Sequence, residues 1–266
     1  MTGGPVTFTL DVEDYTAAGT EPRAVATTRE ILAFLAARDV RGTFFVVGEF
    51  AEQQSSLVKE IAAGGHEVGL HSYRHAPLTE TDPETFRREI GAARAYVEDL
   101  AGQAVVGYRA PTFSLVASTV WVTEVLPELG FRYSSSVLPA GSPLYGFPGR
   151  PRTPSRWPSG LLELPCPVAD VGPVANPYLG GIYFRVLPWS AVRFGLAHAH
   201  PDELLWAYCH PYDFDPGEPF QKRPDLGPWK SRLQWINRRR MFDRVDRLLT
   251  RGAAPPLCER ADALKI

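Results

Sequence analysis

Short apolar runs alternate along this chain with helix-length amphipathic segments, and several of the runs end in a small polar island. The islands are Asp11-Val12-Glu13-Asp14, His71-Ser72-Tyr73-Arg74-His75, Arg109-Ala110-Pro111 and His210-Pro211-Tyr212-Asp213. A run such as Thr43-Phe44-Phe45-Val46-Val47 shows no polar alternation, the pattern of a strand buried on both faces. Strands of that kind, each followed by a helix, imply a parallel sheet covered by its own crossovers.

The first strand reads as Val6 to Asp11 and the first helix as Val25 to Arg38, with Thr27 and Glu30 spaced as a capping box. A second helix spans Phe50 to Ala63, and Glu67 to Leu70 is a strand ending at His71. The clearest helix opens at Asp82-Pro83, closes at Gly102 and buries Phe86, Ile90, Ala93, Val97 and Leu100. Further strands are read at Val105 to Tyr108, from Phe131, at Leu161 to Leu164 and at Leu204 to Cys209. Helices are read at Thr119 to Leu129, Trp189 to Ala199 and Leu233 to Leu249. About seven strands in 266 residues, with no two-domain break, favour an α/β fold of distorted (β/α)7-type barrel form. No glycine-rich phosphate loop follows the first strand, which weakens a nucleotide-binding sheet. In a barrel the islands fall at strand C-terminal ends, where such folds keep their active sites. The stretch Pro139 to Gly160, rich in Pro, Gly, Arg and aromatics, reads as a long ordered loop over the mouth.

A formal charge of -2 argues against a general nucleic-acid binder, although Arg238-Arg239-Arg240 is locally basic. Cys166, Cys209 and Cys258 lack ligand-like spacing and suit a reducing compartment. No signal peptide is read at Met1-Thr2-Gly3-Gly4-Pro5 and no transmembrane segment along the chain, so the expected location is cytoplasmic.

The acids at the end of a buried strand need partners. His71 and His75, four residues apart, lie on one side of a helical turn if they form one, and can then chelate an ion together with a carboxylate. Arg109 follows a buried strand, and Asp11 is a sensible carboxylate for it; the pairing would keep Asp11 ionised and oriented as a base. His210, at another strand end, is placed to protonate a leaving amine. Trp157, Tyr145, Phe147 and Tyr183 either stack on sugar faces or pack loops.

These motifs resemble the polysaccharide deacetylase family with the NodB homology domain, also called carbohydrate esterase family four. The resemblance rests on Thr9-Leu10-Asp11-Val12-Glu13-Asp14-Tyr15, His71-Ser72-Tyr73-Arg74-His75, Arg109-Ala110-Pro111 and His210. The Asp-Val-Glu-Asp-Tyr form, with Gly180-Gly181-Ile182-Tyr183-Phe184-Arg185 and His210-Pro211-Tyr212-Asp213-Phe214-Asp215, is similar to members associated with exopolysaccharide assembly. It implies one domain over residues 1–266, with a motif core of about 6–220 and a C-terminal helical extension of about 228–266. It implies Asp11 as general base, Arg109 as its tether, His210 as acid and the backbone N–H near Thr112 as an oxyanion donor. It also implies a divalent ion, zinc foremost with cobalt, nickel or manganese as alternatives, held by His71, His75 and an acid of the first island. Asp14 is the favoured acid and Glu13 the rival. The family's fourth motif usually carries an acid near Tyr133; here Ser134-Ser135-Ser136 stands instead, leaving Asp213 or Asp215 to support His210. The implied substrate is an N-acetylated sugar. The alternatives are a metal-independent small-amide hydrolase of the allantoinase-like branch and a non-catalytic carbohydrate-binding barrel.

Overall fold

Every residue of the first strand, β1 (Val6–Val12), is buried, but its two faces differ in chemistry. Val6, Phe8, Leu10 and Val12 enter the larger apolar core, shared with helices; Thr7, Thr9 and Asp11 alternate with them and face the other way. The same alternation recurs in β2 (Thr43–Val46) and β3 (Glu67–Leu70), where Phe44, Val46, Val68 and Leu70 join that core while Phe45 joins a second, smaller one. A computed structural model describes residues 4–14, 23–142, 144–170, 175–220 and 228–266.

The remaining strands are β4 (Gly107–Tyr108), β5 (Tyr133–Ser134), β6 (Ser155–Arg156), β7 (Leu162–Glu163), β8 (Val168–Asp170), β9 (Ala175–Pro177), β10 (Trp206–Cys209) and β11 (Ala253–Ala254). Seven run parallel in the order β10-β1-β2-β3-β4-β5-β7. Strand β6 adds an antiparallel edge on β7, and β8 pairs with β9 as a separate hairpin. No pairing joins β7 to β10 among the described residues, so the expected barrel is a curled half-barrel. The larger core lies between sheet and helices; the smaller one, with Phe45, Tyr133, Trp206 and Tyr208, fills the concave side. Gly107 is required there: a Cβ would stand 2.3 Å from the Tyr133 ring.

The helices are α1 (Arg23–Ala36), α2 (Gly48–Gln53), α3 (Ser55–Ala63), α4 (Pro83–Ala101), α5 (Val122–Glu128), α6 (Gly181–Val186), α7 (Trp189–His198), α8 (Pro228–Leu233), α9 (Met241–Leu249) and α10 (Leu257–Ala263). The α4 boundaries follow the local chemistry: Asp82 Oδ1 accepts the N–H groups of Glu84 and Thr85 at 3.0 Å, and Gly102 closes the helix at φ 63°. Three sequence expectations shift. Thr27 is a buried residue inside α1, not its cap. The helix read from Phe50 to Ala63 breaks at Gln54 into α2 and α3. The run from Leu233 to Leu249 is interrupted by left-handed Asn237 and a 3-10 turn before α9.

The C-terminal segment is not only helical. Strand β11 pairs with Val6 and Thr7 of β1, and α10 sits on the inner polar face. Its Leu257 N–H donates to Thr43 Oγ1 at 2.8 Å and its Cys258 N–H to Glu67 at 2.9 Å. Thr43 Oγ1 and Tyr133 Oη also donate to Glu67, at 2.7 and 2.8 Å, so one buried carboxyl joins β2, β3, β5 and α10. Among the described residues, no helix is long and apolar enough to cross a membrane.

Candidate active site

Residues with inward parity at the strand ends form one cluster. Counting by twos from Thr7 gives Thr9, Asp11 and Glu13; from Glu67 it gives His71, from Gly107 Arg109, and from Trp206 His210. The guanidinium of Arg109 is fully buried, with its carbon 4.1 Å from the Phe45 ring centroid and 4.2 Å from that of Trp206. Its Nη1 donates to Asp11 Oδ1 at 2.6 Å and to Thr9 Oγ1 at 2.8 Å, and its Nε to Ser135 Oγ at 3.0 Å. This is the Arg109–Asp11 pair expected from sequence.

Asp11 Oδ2 remains facing the site, 4.0 Å from His71 Nε2 and 3.9 Å from His210 Nε2. Those separations exceed hydrogen-bond length and leave room for an atom between the groups. His71 donates Nδ1–H to the carbonyl of Arg109 at 2.9 Å, which leaves Nε2 as a lone-pair donor toward the cluster. Burial, then the neighbouring His75, pushes the His71 pKa down to about 3, so its ring is neutral.

The carboxylate beside the histidines is Glu13, not Asp14. Glu13 Oε2 is 2.5 Å from His75 Nε2 and 3.8 Å from His71 Nε2. The ligand atoms of Glu13, His71 and His75 lie within 4.8 Å of one another. Asp14 has the opposite strand parity, and its Oδ2 meets the Ala24 N–H at 3.4 Å, at the start of α1. The two histidines also come together differently from the expected helical turn: Ser72 and His75 adopt left-handed φ of 62° and 56°, and the segment bends. Glu13 Oε2 is buried against the imidazole nitrogens of His71 and His75, although burial alone disfavours its charge. The charge and hydrogen bond of His75, with the charge of His210, outweigh burial and lower the Glu13 pKa. A buried carboxylate oxygen facing two imidazole nitrogens, all three ligand atoms within 4.8 Å of one another, fits a divalent cation.

His210 is supported by Asp213, whose Oδ2 accepts the His210 backbone N–H at 2.9 Å and lies 3.1 Å from Nδ1. Its ring stacks on Tyr212, with centroids 4.7 Å apart and planes at 9°. Burial would lower the His210 pKa; the Asp213 hydrogen bond, with the charges of Glu13, Asp213 and Asp11, overcomes this and raises it to about 9. Asp215 is engaged elsewhere, with Arg23 at 2.5 Å.

The sugar-stacking candidates do not assemble as one surface. Trp157 is a core residue: Nε1 donates to Glu163 at 3.3 Å and Arg150 covers its ring at 3.8 Å, so it offers no free face. Tyr145 is half-buried in the Pro139–Gly160 loop, its hydroxyl 3.0 Å from Thr79 Oγ1 just beyond His75. Tyr183 is half-buried on α6. Thr112 lies in a tight turn after Arg109, with φ 55° followed by 56° at Phe113. Sequence reading missed the Phe45 and Trp206 faces around Arg109 and its bonds to Thr9 and Ser135; strand parity was the signal for all four.

The arrangement defines an α/β half-barrel with a carboxylate–imidazole donor group at its strand ends. Residues 4–134 match the polysaccharide deacetylase family, and residues 135–253 match a domain of unknown function, DUF3473. Over 98 residues the chain is 35% identical to a peptidoglycan-N-acetylglucosamine deacetylase of Bacillus cereus, covering 36% of each chain. Over 101 residues it is 39% identical to a chitooligosaccharide deacetylase of Rhizobium leguminosarum bv. phaseoli, covering 37% of this chain and 42% of that one. The chain thus spans well under half the length of these curated relatives. A crystal structure described as a polysaccharide deacetylase from Mycobacterium smegmatis shares the fold, with a TM-score of 0.64, 21% identity, and coverage of 98% of this chain and 90% of that one. The match to the polysaccharide deacetylase family spans the residues that carry Asp11, Glu13, His71, His75, Arg109 and Thr112. His210, Asp213 and Arg185 lie in the DUF3473 segment.

Proposed function

We propose that the protein is a metal-dependent carbohydrate N-deacetylase, removing the acetyl group from an amino sugar in a glycan, glycolipid or glycoside biosynthetic intermediate. The observation that carries this reading is the convergence of three groups at one set of strand ends. These are the Glu13–His71–His75 donor set, the Arg109-anchored Asp11 and the Asp213-anchored His210. The names of the two curated relatives support an amino-sugar substrate.

Glu13, His71 and His75 would hold the divalent ion, and two imidazoles with one carboxylate favour zinc. When bound, the ion supplies Lewis acidity to the acetyl carbonyl. Arg109 occupies Asp11 Oδ1, so Oδ2 is the oxygen that takes a proton from the attacking water. The Thr112 backbone, in its tight turn, is the oxyanion donor of this scheme. His210, held at Nδ1 by Asp213, directs Nε2 into the cluster and gives its proton to the sugar nitrogen as the C–N bond breaks. Acetate and a free amino sugar result.

Asp11→Asn keeps an oxygen for Arg109 but removes the base. Acetate release from an N-acetylglucosamine oligomer should fall roughly 10²–10⁴-fold, while zinc binding by titration stays within about 3-fold. Undiminished release would remove Asp11 from this role.

A further inference from the structure

Asp213 is gripped from both sides. While Oδ2 faces His210, Oδ1 lies 2.7 Å from Nε of Arg185. Both residues are fully buried, and neither charge is tolerable there without the other. Arg185 is itself fixed. Its Nη1 donates to the carbonyls of Gln234 at 2.7 Å and Ile236 at 3.0 Å, and its own carbonyl accepts from Asn237 Nδ2 at 3.0 Å. The helix that carries it, α6, begins on two glycines pressed against β10. A Cβ at Gly180 would stand 2.1 Å from the Tyr208 carbonyl oxygen, and Gly181 has φ 53°. Strand β10 ends at His210, so histidine, aspartate and arginine share one rigid frame. As with Arg109 on Asp11, a buried arginine pairs with one carboxylate oxygen; here the contact is an ion pair, and the other oxygen holds His210.

We propose that Arg185 is a positioning residue for His210: by occupying Asp213 Oδ1 it fixes the Asp213 Oδ2–His210 Nδ1 contact and so aims Nε2 at the leaving nitrogen. This deepens the deacetylase reading and rests on it. A proton donor matters when the leaving group is an amine and little when it is a stabilised phenolate, which separates positioning from general damage.

The test uses the full zinc-loaded chain carrying Arg185→Met or Arg185→Lys. Acetate release from an N-acetylglucosamine oligomer is compared with hydrolysis of 4-nitrophenyl acetate. For Arg185→Met the amide kcat should fall about 10²-fold with KM within about 2-fold, and ester hydrolysis should stay within about 3-fold. Arg185→Lys keeps the charge but not the fork, and should lower the amide-to-ester ratio by about 10-fold. Equal losses on both substrates, or an unchanged ratio in the lysine variant, would overturn the proposal. A second readout is independent of turnover. With ¹⁵N-labelled histidine, the hydrogen-bonded Nδ1–H signal of His210, assigned by its loss in His210→Gln, should vanish in Arg185→Met and persist in Arg185→Lys. An unchanged signal in the methionine variant overturns the positioning role even if the wild type releases no acetate, an outcome that would sink only the deacetylase reading.

Discussion

Glu13 and Asp14 are adjacent acids with different fates, and the difference is one step of strand parity. Glu13 continues the inward series Thr9, Asp11, Glu13 and meets both histidines; Asp14 turns toward α1. Glu13→Ala should therefore weaken zinc binding at least about 10²-fold, whereas Asp14→Ala should change it less than about 3-fold by competition titration. The reverse order would return the ligand role to Asp14. The same scale governs His210. Asp213 stays charged in its buried position because Arg185 and His210 outweigh the burial that would raise its pKa. A general acid works while protonated, so the rate falls as pH rises through its pKa. Asp213→Asn removes a contribution that raises that pKa, and the basic limb of the kcat/KM profile should move to lower pH by on the order of one unit. A basic limb that stays in place would mean that His210 is not the acid.

At the scale of elements, the helices and the polar islands were legible in the sequence because each had a local cause. Asp82 and Gly102 bounded α4, and apolar runs marked the long strands. Two features were only partly legible. The strands read at Val105 to Tyr108, from Phe131 and at Leu161 to Leu164 are in place, but as β4, β5 and β7 they are two residues long, bounded by parallel partners far away in sequence. The C-terminal segment looked only helical, since nothing local says that Ala253 and Ala254 pair with β1. The site residues were legible as types at strand ends; choosing between Glu13 and Asp14 needed parity carried one residue past the strand, and Trp157 needed knowledge of what covers it. The buried knot at Glu67 shows what element packing is worth. Glu67→Ala leaves Tyr133 Oη, Thr43 Oγ1 and the Cys258 N–H without their acceptor and should cost about 2–4 kcal/mol in denaturant unfolding. Glu67→Gln should behave differently. Burial, only partly offset by its hydrogen bonds, raises the Glu67 pKa above its ordinary 4.5, so wild-type stability drains as pH rises past that value. The neutral amide avoids this, and its Tm relative to wild type should climb with pH above about 4.5. A difference independent of pH would contradict a raised pKa.

In the molecule as a whole, the site is shared between two segments. Residues 4–134 provide Asp11, its arginine and the imidazole–carboxylate donor set, while residues 135–253 provide His210, Asp213 and Arg185. They meet along β1 and β10, which pair in register from Thr7–Trp206 to Leu10–Cys209 and so bring Asp11 and His210 together at their shared end. Both halves are therefore needed for turnover in this scheme, although the donor set lies wholly in the first. The measurement that bears most directly on it is acetate release from N-acetylglucosamine oligomers and N-acetylated glycosides by the full chain. It is made after exhaustive chelation and again after zinc is restored to one equivalent. Release that disappears on chelation and returns with zinc is the expected result; release that persists in the metal-free protein, or none from any of these substrates with zinc bound, would contradict a metal-dependent N-deacetylase.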